Sequence, residues 1–567
     1  MRTRERDHRM RRAARTLALM AVAGAACAAR ADWPWTTTAL SSPPLPAGYY
    51  VHQAAVSPNG RIAVYVVLQQ GVGARELRCV SLDAQAGAVS LTSSLSDAFT
   101  YGDFVFSPDS RRVAFVAYAP SAAGWVGGVW SVEVCRPGAV PVSQAPAGEP
   151  AADARVNGLR FAPDGQRVLF LSDWQAENVE RVYSAPATGG PAVDLGGALA
   201  TTDDVEFEPT PDGQFVLLGQ RSEAGFADLV RVPVAGPASA GTVLVHGTFA
   251  FAELPDLVGV AGGSGRIVFR SFDDLPAFGQ WQLYSAPLAP PGDRQVLLNP
   301  TLTLDGTVVD AILSPDGARV AYVADQAQAD VYQLYSVPVA GPSAAYVKLN
   351  PPLPAGSPGV VYWGGRRPFF LPDASHVVYQ SRQDSQDWQI RTHLYSVPSS
   401  GPGSASVRLD VYAPLDGYFR GATASPDAQL VVFTGAEQQA GTSELHLRRA
   451  DGSGPELDLS CGAADPVWGS GDSDLFAFCQ ATNTTERQLY HWYLTSSPAA
   501  YRLDVTPLDD GDSGSMGLFG VSPRTGGVLF AYDRPTEGIY ELFTADRRVY
   551  WGGFENGSTA GWSAVVP

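Results

Sequence analysis

One internal repeat constrains the fold of this chain more than any other feature. The stretch "SPDG" at 314–317 runs into "ARVAYVAD", and near copies are "SPNGRIAVYVV" from Ser57 and "APDGQRVLFLSD" from Ala162. Internal repeats decide the architecture, so their number comes before any motif. The turns that open each copy begin at Ser57, Ser107, Ala162, Thr210, Ser314, Leu371, Ser425 and Ser522. Two gaps of double length hold degenerate copies at Gly262 and Gly469, which gives about ten repeats of roughly 50 residues.

Each repeat predicts four β-strands. A short apolar strand precedes the turn, in which Pro presets φ, Asp bonds nearby backbone and Gly accepts positive φ. An alternating, β-branched strand follows, as in "RVAYVAD". A loop of variable length leads to a third strand such as "LYSVPVAGP" at 334–342, which recurs in step with the turns, and a short fourth strand ends the unit. Stacked four-stranded sheets around an axis bury both of their faces, so the fold class is all-β and the architecture a β-propeller.

The two ends of the chain are predicted to meet. The segment "KLNPPLPAG" at 348–356 leaves a fourth strand, and "ALSSPPLPAG" at 39–48 repeats this exit before the first repeat. Residues 32–48 therefore supply a fourth strand that closes the last blade, whose other strands come from 517–545. This closure favours one large ring of the repeats at 49–545, and two smaller rings are the alternative.

Residues 1–31 have the form of a signal peptide. An Arg-rich start precedes the apolar run "TLALMAVAGAACAA" and the small-x-small site "ARA" at 29–31. The run is too short to span a membrane, so we expect export to the periplasm or to the extracellular or cell surface. The twin arginine Arg11-Arg12 is one feature of signal peptides that export folded proteins. Cys27 could instead be the cysteine of a lipid anchor. The tail 546–567 is either a sorting or attachment signal or a final strand.

Charge and composition narrow the partners. The net charge of −18 disfavours nucleic acid and anionic membrane. No H-E-x-x-H or Cys-x2-Cys spacing occurs, so no metal site and no cofactor are predicted. The acidic run "DDGD" at 509–512 has carboxylates that could hold Ca²⁺, but it lacks the rest of a calcium loop with a distant Glu, so it is interpreted as a turn. The stretch "GDSGS" at 511–515 is also interpreted as a turn. Oxidation after export predicts a disulfide between Cys461 and Cys479, within one repeat, and less directly one between Cys79 and Cys135.

The repeats resemble the WD40-like (PD40) propeller repeats of the TolB family. The resemblance is closest in "APDGQRVLFLSDWQAENVERVYSAP" at 162–186 and extends over nearly all of 49–545. It implies the propeller fold and leaves the function open. The small α/β domain of TolB has no counterpart here. Prolyl-oligopeptidase-like enzymes carry a similar repeat before a catalytic domain, but this chain contains no G-x-S-x-G.

We therefore expect an exported, monomeric, non-enzymatic propeller that binds a protein, peptide or glycan. The alternative is a propeller-based hydrolase or lyase with its site in the central channel. Binding is expected on the loops between second and third strands, which vary most and carry residue types common at interfaces. The candidate binding residues are Asp173, Trp174, Asp273, Asp274, Trp281, Asp387, Trp388 and Asp533.

Overall fold

The structure is a computed structural model that covers the repeats with gaps. It describes residues 35–40, 45–46, 48–69, 71–82, 87–95, 100–121, 124–151, 153–200, 207–221, 227–246, 255–274, 279–289, 295–303, 305–357, 359–361, 367–381, 392–411, 419, 421–435, 444–463, 466–469, 474–480, 487–494, 499–502, 517–522, 524, 528–533 and 540–547. In this part of the chain, no helix is long and apolar enough to cross a lipid bilayer.

The first half of the chain forms five four-stranded antiparallel sheets, one for each of repeats 1 to 5. Within each sheet the strands lie in chain order. The strands are β2 (Tyr49–Val56), β3 (Ile62–Gln69), β4 (Gly73–Ser81) and β5 (Val89–Ser90); β6 (Thr100–Phe106), β7 (Arg112–Ser121), β8 (Gly124–Glu133) and β9 (Val142–Ser143); β10 (Val156–Phe161), β11 (Arg167–Ser172), β12 (Val179–Pro186) and β13 (Val193–Ala200); β14 (Phe207–Pro209), β15 (Phe215–Arg221), β16 (Ala227–Pro233) and β17 (Thr242–Val245); β18 (Asp256–Ala261), β19 (Arg266–Asp274), β20 (Gly279–Pro287) and β21 (Val296–Leu297).

The second half continues the series with repeats 6 to 10. Its strands are β22 (Val308–Leu313), β23 (Arg319–Ala324), β24 (Gln333–Pro338) and β25 (Val347–Lys348); β26 (Val360–Val361), β27 (Phe369–Phe370), β28 (His376–Ser381), β29 (His393–Pro398) and β30 (Val407–Arg408); β31 (Gly421–Ala424), β32 (Leu430–Gly435), β33 (Glu444–Arg449) and β34 (Leu457–Ala463); β35 (Val467–Trp468), β36 (Asp474–Gln480), β37 (Arg487–Tyr493) and β38 (Ala499–Arg502); β39 (Gly517–Val521), β40 (Val528–Asp533) and β41 (Tyr540–Arg547). Short 3-10 helices lie at Ala238–Ala240, Ser343–Ala345 and Gly403–Ala405.

The sheets are the blades of one ring, so the predicted all-β propeller is confirmed. About ten repeats are predicted, and the described strands form nine sheets. The difference arises between repeats 8 and 9, where β34 pairs with β36 at Gly462↔Gln480 and Ala463↔Cys479. This pairing joins two repeats into one eight-stranded sheet, whereas every other sheet holds a single repeat.

The ring closes through β1 (Trp35–Ala39), which comes from the N-terminal side of the first repeat. β1 pairs antiparallel with β41 from Trp35↔Arg547 to Ala39↔Phe543, so it is the outer strand of the last blade. Leu40 and Leu529 share a hydrophobic cluster with Tyr65 of the first repeat. The same closure that removes a free sheet edge therefore also joins the last blade to the first.

The hydrophobic core lies between the sheets, because each sheet is covered on both faces. In β11, Val168 and Phe170 join a cluster with the preceding repeat, while Leu169 and Leu171 join one with the following repeat. Alternate residues of a strand point to opposite faces, so a strand buried on both faces has an apolar run. Full burial of such a side chain contributes about 1.5–3 kcal/mol to the free energy of folding, compared with leaving it exposed.

The repeated turn is held by one set of hydrogen bonds. Ser314 Oγ donates to Asp316 Oδ1 at 2.6 Å, and Asp316 Oδ1 accepts from the backbone N–H of Ala318 at 3.0 Å. Ser314 Oγ also accepts from the N–H of Arg319 at 2.9 Å, and Gly317 takes a φ of 67°. The hydrogen bond from Ser314 lowers the pKa of Asp316. The polar groups of the turn thus form hydrogen bonds with one another.

One disulfide is described between two blades. Cys79 and Cys135 are bonded with a Cα–Cα distance of 5.5 Å, so the bond ties repeat 1 to repeat 2. Cys479 is also a disulfide cysteine. Its predicted pairing with Cys461 stays a prediction, because the side chain of Cys461 lies outside the described part of the structure.

Candidate binding face and cleft

The two ends of the second strands differ in character. At one end the turns of neighbouring repeats bond to each other: the N–H of Asn59 donates to Ser110 Oγ at 3.0 Å, and Ser522 Oγ donates to the carbonyl of Gly60 at 2.8 Å. We call this end the turn face. The opposite end carries the loops between second and third strands and the links between repeats, and we call it the loop face. Because the polar groups of the turn face bond to neighbouring turns, this face has fewer groups left for a binding partner than the loop face has.

On the loop face, Asp173 holds its own loop in place. Its side chain is 2% exposed. It accepts from the backbone N–H of Arg155 at 2.5 Å and of Asn178 at 3.2 Å. Asp325 makes the equivalent bonds in repeat 6, to the N–H groups of Thr307 at 2.6 Å and Asp330 at 3.1 Å. Asp173 therefore holds its loop against the link that precedes β10.

Trp174 and Trp281 also contact their own blades. Trp174 is 8% exposed, belongs to a core cluster and donates through Nε1 to the carbonyl of Gly148 at 3.4 Å. Trp281 is half-buried, edge-on to Phe272 at 5.8 Å, with the Arg270 guanidinium 5.1 Å from its ring centre. Both rings brace hairpins of the loop face, and neither is a freely presented anchor.

The remaining predicted binding residues are only partly described. Asp273 and Asp274 lie in β19 opposite Gln280 and Gly279, and Asp533 lies in β40 opposite Tyr540. The side chains of these three lie outside the described part, as do Asp387 and Trp388 altogether. The eight predicted residues fall in repeats 3, 5, 7 and 10, so the fold spreads them around the ring.

The exposed Trp125 is a loop-face residue that the sequence did not single out. It lies in the hairpin of β7 and β8, whose strands have 10 residues each, whereas β11 and β23 have 6. The side chain is 47% exposed. Its backbone N–H donates to Asp153 Oδ1 at 3.4 Å. Trp125 lies inside a long strand rather than in a polar, variable loop, although exposed tryptophan is typical of binding hot spots.

Near the axis of the ring, a cavity of about 560 Å³ is lined by charged residues. The first strands of neighbouring repeats contact each other here; β18, for example, contacts β22. Arg270 Nε donates to Asp256 Oδ2 at 2.7 Å, and Arg367 Nε donates to Asp310 Oδ2 at 2.9 Å. Arg270 also donates to the carbonyl of Val309 at 2.7 Å. The charges neutralise each other and brace adjacent repeats, so this cavity is better explained as structure than as a site.

A second cavity, of about 540 Å³, lies on the loop face of repeat 6. Its walls are the loop before β24 and the link "PPLPAG" after β25. We call it the link cleft, and its polar lining consists of Gln328, Asp330, Gln333, Lys348 and Ser357. A variable loop and a Pro-rich link thus meet over polar groups at the end of the third strand.

Gln333 of the link cleft has an acceptor without a donor. In repeat 5, the equivalent Gln282 Oε1 accepts from Asn299 Nδ2 at 2.6 Å. Asn299 Nδ2 also donates to the carbonyl of Pro300 at 2.8 Å, and in repeat 6 Asn350 Nδ2 makes the corresponding bond to the carbonyl of Pro351 at 2.9 Å. Gln333 is 6% exposed, and within the described residues its Oε1 has no hydrogen-bond partner. A buried acceptor left in this state is costly, which makes it a candidate contact for a ligand.

Lys348 gives the link cleft a cation, and it is the single lysine of the chain. It lies opposite Tyr335, as Arg408 lies opposite Tyr395 in repeat 7. Arg408 pairs with Asp410 at 3.1 Å, but the residue equivalent to Asp410 is the neutral Asn350. Burial lowers the pKa of Lys348. The cleft therefore presents an ammonium group without the acid that its counterpart has.

Among the described side chains, no three His, Cys, Asp or Glu residues lie close enough together to hold a metal ion. Buried histidines face acids instead: His393 Nδ1 lies 2.6 Å from Asp410 Oδ2, and His446 Nδ1 lies 3.0 Å from Glu456 Oε1.

Comparison with known proteins gives likeness at the level of solved structures alone. No protein family matches the sequence, and no curated protein matches it. A eukaryotic initiation factor aligns with a TM-score of 0.44 and 11% identity over 74% of this chain and 91% of its own. A protein assigned as TolB from Agrobacterium tumefaciens aligns with a TM-score of 0.25 and 20% identity over 45% and 80%. A prolyl endopeptidase aligns with a TM-score of 0.38 and 12% identity over 77% of this chain and 55% of its own.

Proposed function

We propose that the chain is an exported, non-enzymatic β-propeller that binds a protein, peptide or glycan on its loop face. The observation that carries this proposal is the link cleft, where Lys348 and Gln333 meet a Pro-rich link and lack the partners that their counterparts have. The charges of the axial cavity already satisfy each other, so they favour a bracing role over catalysis. The exposed Trp125 adds an aromatic contact on the same face.

The family and the location are part of the same proposal. The repeated Pro-Asp-Gly turn and the third strand "LYSVP" support placement with TolB-like (PD40) repeats, without the TolB N-terminal domain. The form of residues 1–31 supports a cleaved signal peptide and a destination in the periplasm or at the cell surface.

A binding panel tests the proposed function. The mature chain, beginning at Asp32, is immobilised and exposed to peptides and glycans beside the double variant Gln333→Leu/Lys348→Met. The matched control is Gln166→Ala, an exposed position beside a turn on the turn face. We expect a partner that the wild type and the control retain and the double variant releases. A partner lost only by the turn-face variant, or one that is chemically converted, would contradict the proposal.

A further inference from the structure

We propose that the link cleft captures the free carboxyl terminus of a peptide, with Lys348 holding the carboxylate and Gln333 accepting the last backbone N–H. The inference deepens the proposed function and rests on it, since it names the ligand of the loop face. A terminal residue carries an anion and an adjacent N–H donor. These are the two groups that Lys348 and Gln333 lack among the described residues.

The apolar wall of the cleft fits the side chain of a terminal residue. Val331, Pro352, Leu353 and Pro354 line the same cavity as Lys348. Apolar surface that is removed from water on binding favours the complex. None of the described residues that line the cleft is aromatic. A sugar ring, which packs well on aromatic faces, finds less complementary surface here than an aliphatic side chain does.

The charge around the cleft favours one carboxylate over a polyanion. Asp330 lines the cleft beside the single lysine, and the chain as a whole carries a net charge of −18. A surface of this sign repels a ligand with many negative charges. A single carboxylate held by a charge-assisted bond gains a local contact without that repulsion.

Lysine labelling tests the inference on the mature chain. Since Lys348 is the only lysine, its acetylation by an amine-reactive ester is followed by peptide mass spectrometry without ambiguity. The probes are N-acetyl-alanyl-leucine and its C-terminal amide. We expect the free acid at saturation to slow labelling of Lys348 about tenfold or more and the amide to leave it unchanged, because the charged hydrogen bond is lost in the amide.

Variants then separate the two contacts by calorimetric binding of the same acid. Lys348→Met is expected to abolish binding and Lys348→Arg to retain it, because Arg keeps the charge. Gln333→Leu is expected to weaken binding about tenfold through loss of the acceptor. The matched control is Gln282→Leu, which makes the same change at the equivalent position of repeat 5 and is expected to leave binding unchanged.

Each contrary outcome overturns a stated part. Equal protection by acid and amide overturns the carboxylate capture and leaves the loop-face function standing. Protection by glucuronic acid in place of both peptides overturns the peptide terminus in favour of an acidic sugar. No protection by any probe also overturns the inference, whereas the proposed function is tested separately and falls if the wider panel finds no partner sensitive to the double variant.

Discussion

Ser184→Ala is expected to weaken the contact between repeats 3 and 4. Ser184 is fully buried in β12, where its Oγ accepts from Arg167 Nε at 2.7 Å and donates to the carbonyl of Val234 at 2.5 Å. Ser285 makes the same contacts in repeat 5, with Arg266 at 2.9 Å and the next repeat. The hydroxyl thus links the second strand, the third strand and the neighbouring sheet.

The size of the effect follows from the two groups left behind. Removal of the hydroxyl strands Arg167 Nε and the Val234 carbonyl, and each unsatisfied buried group costs about 1–3 kcal/mol. Arg167 keeps its bond from Nη2 to the Ser184 carbonyl at 3.0 Å, which limits the loss on its side. We therefore expect the free energy of unfolding to fall by about 2–4 kcal/mol.

The chain supplies a matched control at Ser396, the equivalent residue of repeat 7. His376 stands there in place of the arginine, since both pair with the proline that ends the third strand. Ser396 is fully buried, and its Oγ has no hydrogen-bond partner within the described residues. Ser396→Ala is expected to change the unfolding free energy by less than about 1 kcal/mol, or to raise it.

Denaturant unfolding of the three proteins under one set of conditions measures both effects. The midpoint is expected to fall for Ser184→Ala and to stay or rise for Ser396→Ala, at an unchanged slope with denaturant concentration. If both variants lost stability equally, the bridging bond would not be the cause. The loss would then reflect the packing of the serine itself, and the bridging role assigned to the Ser184 hydroxyl would be refuted.

Three further predictions concern the turn, the closure and the exposed tryptophan. The pKa of Asp316 is lowered in the fold, so its contribution to stability is present above about pH 4 and is lost as pH falls through the folded pKa. Asp316→Asn should reduce the loss of unfolding free energy at acid pH, measured by denaturant unfolding at several pH values. If the unfolding free energies of wild type and variant fell in parallel with pH, this would contradict the prediction. Removal of residues 32–40 exposes the edge of β41 and should lower the thermal midpoint and cause aggregation, seen by light scattering; an unchanged midpoint would show that β1 does not hold the ring. Trp125→Ala should change stability by less than about 0.5 kcal/mol, because the ring is exposed, while weakening partner binding about tenfold in calorimetry; unchanged affinity would remove Trp125 from the binding face.

The fold was largely predictable because the same four-strand pattern recurs in every repeat. The turn "SPDG" and the strand "LYSVP" each encode local geometry, and their common period fixes the order of strands within a sheet. The fusion of repeats 8 and 9 was not predictable, because it depends on one short backbone pairing at Gly462 and Ala463 rather than on any side-chain pattern.

The candidate site was less predictable than the fold. Asp173 and Trp174 have residue types common in recognition, yet both are buried, because a hydrogen bond from the N–H of Arg155 holds Asp173 and a core cluster takes in Trp174. Gln333 stands out only when its bonds are compared with those of Gln282, and that comparison needs coordinates. Lys348 was visible as the one lysine, but its missing acid became apparent from its register with Arg408.

Hydrogen–deuterium exchange of the mature chain, with and without a partner from the binding panel, tests the central claim most directly. The claim is that the loop face binds and the repeated turns are scaffold. The account predicts that the partner slows exchange at 325–333 and 346–360, around the link cleft, and leaves the turns at 57–60, 107–110 and 314–317 unchanged. Slower exchange confined to those turns would contradict it.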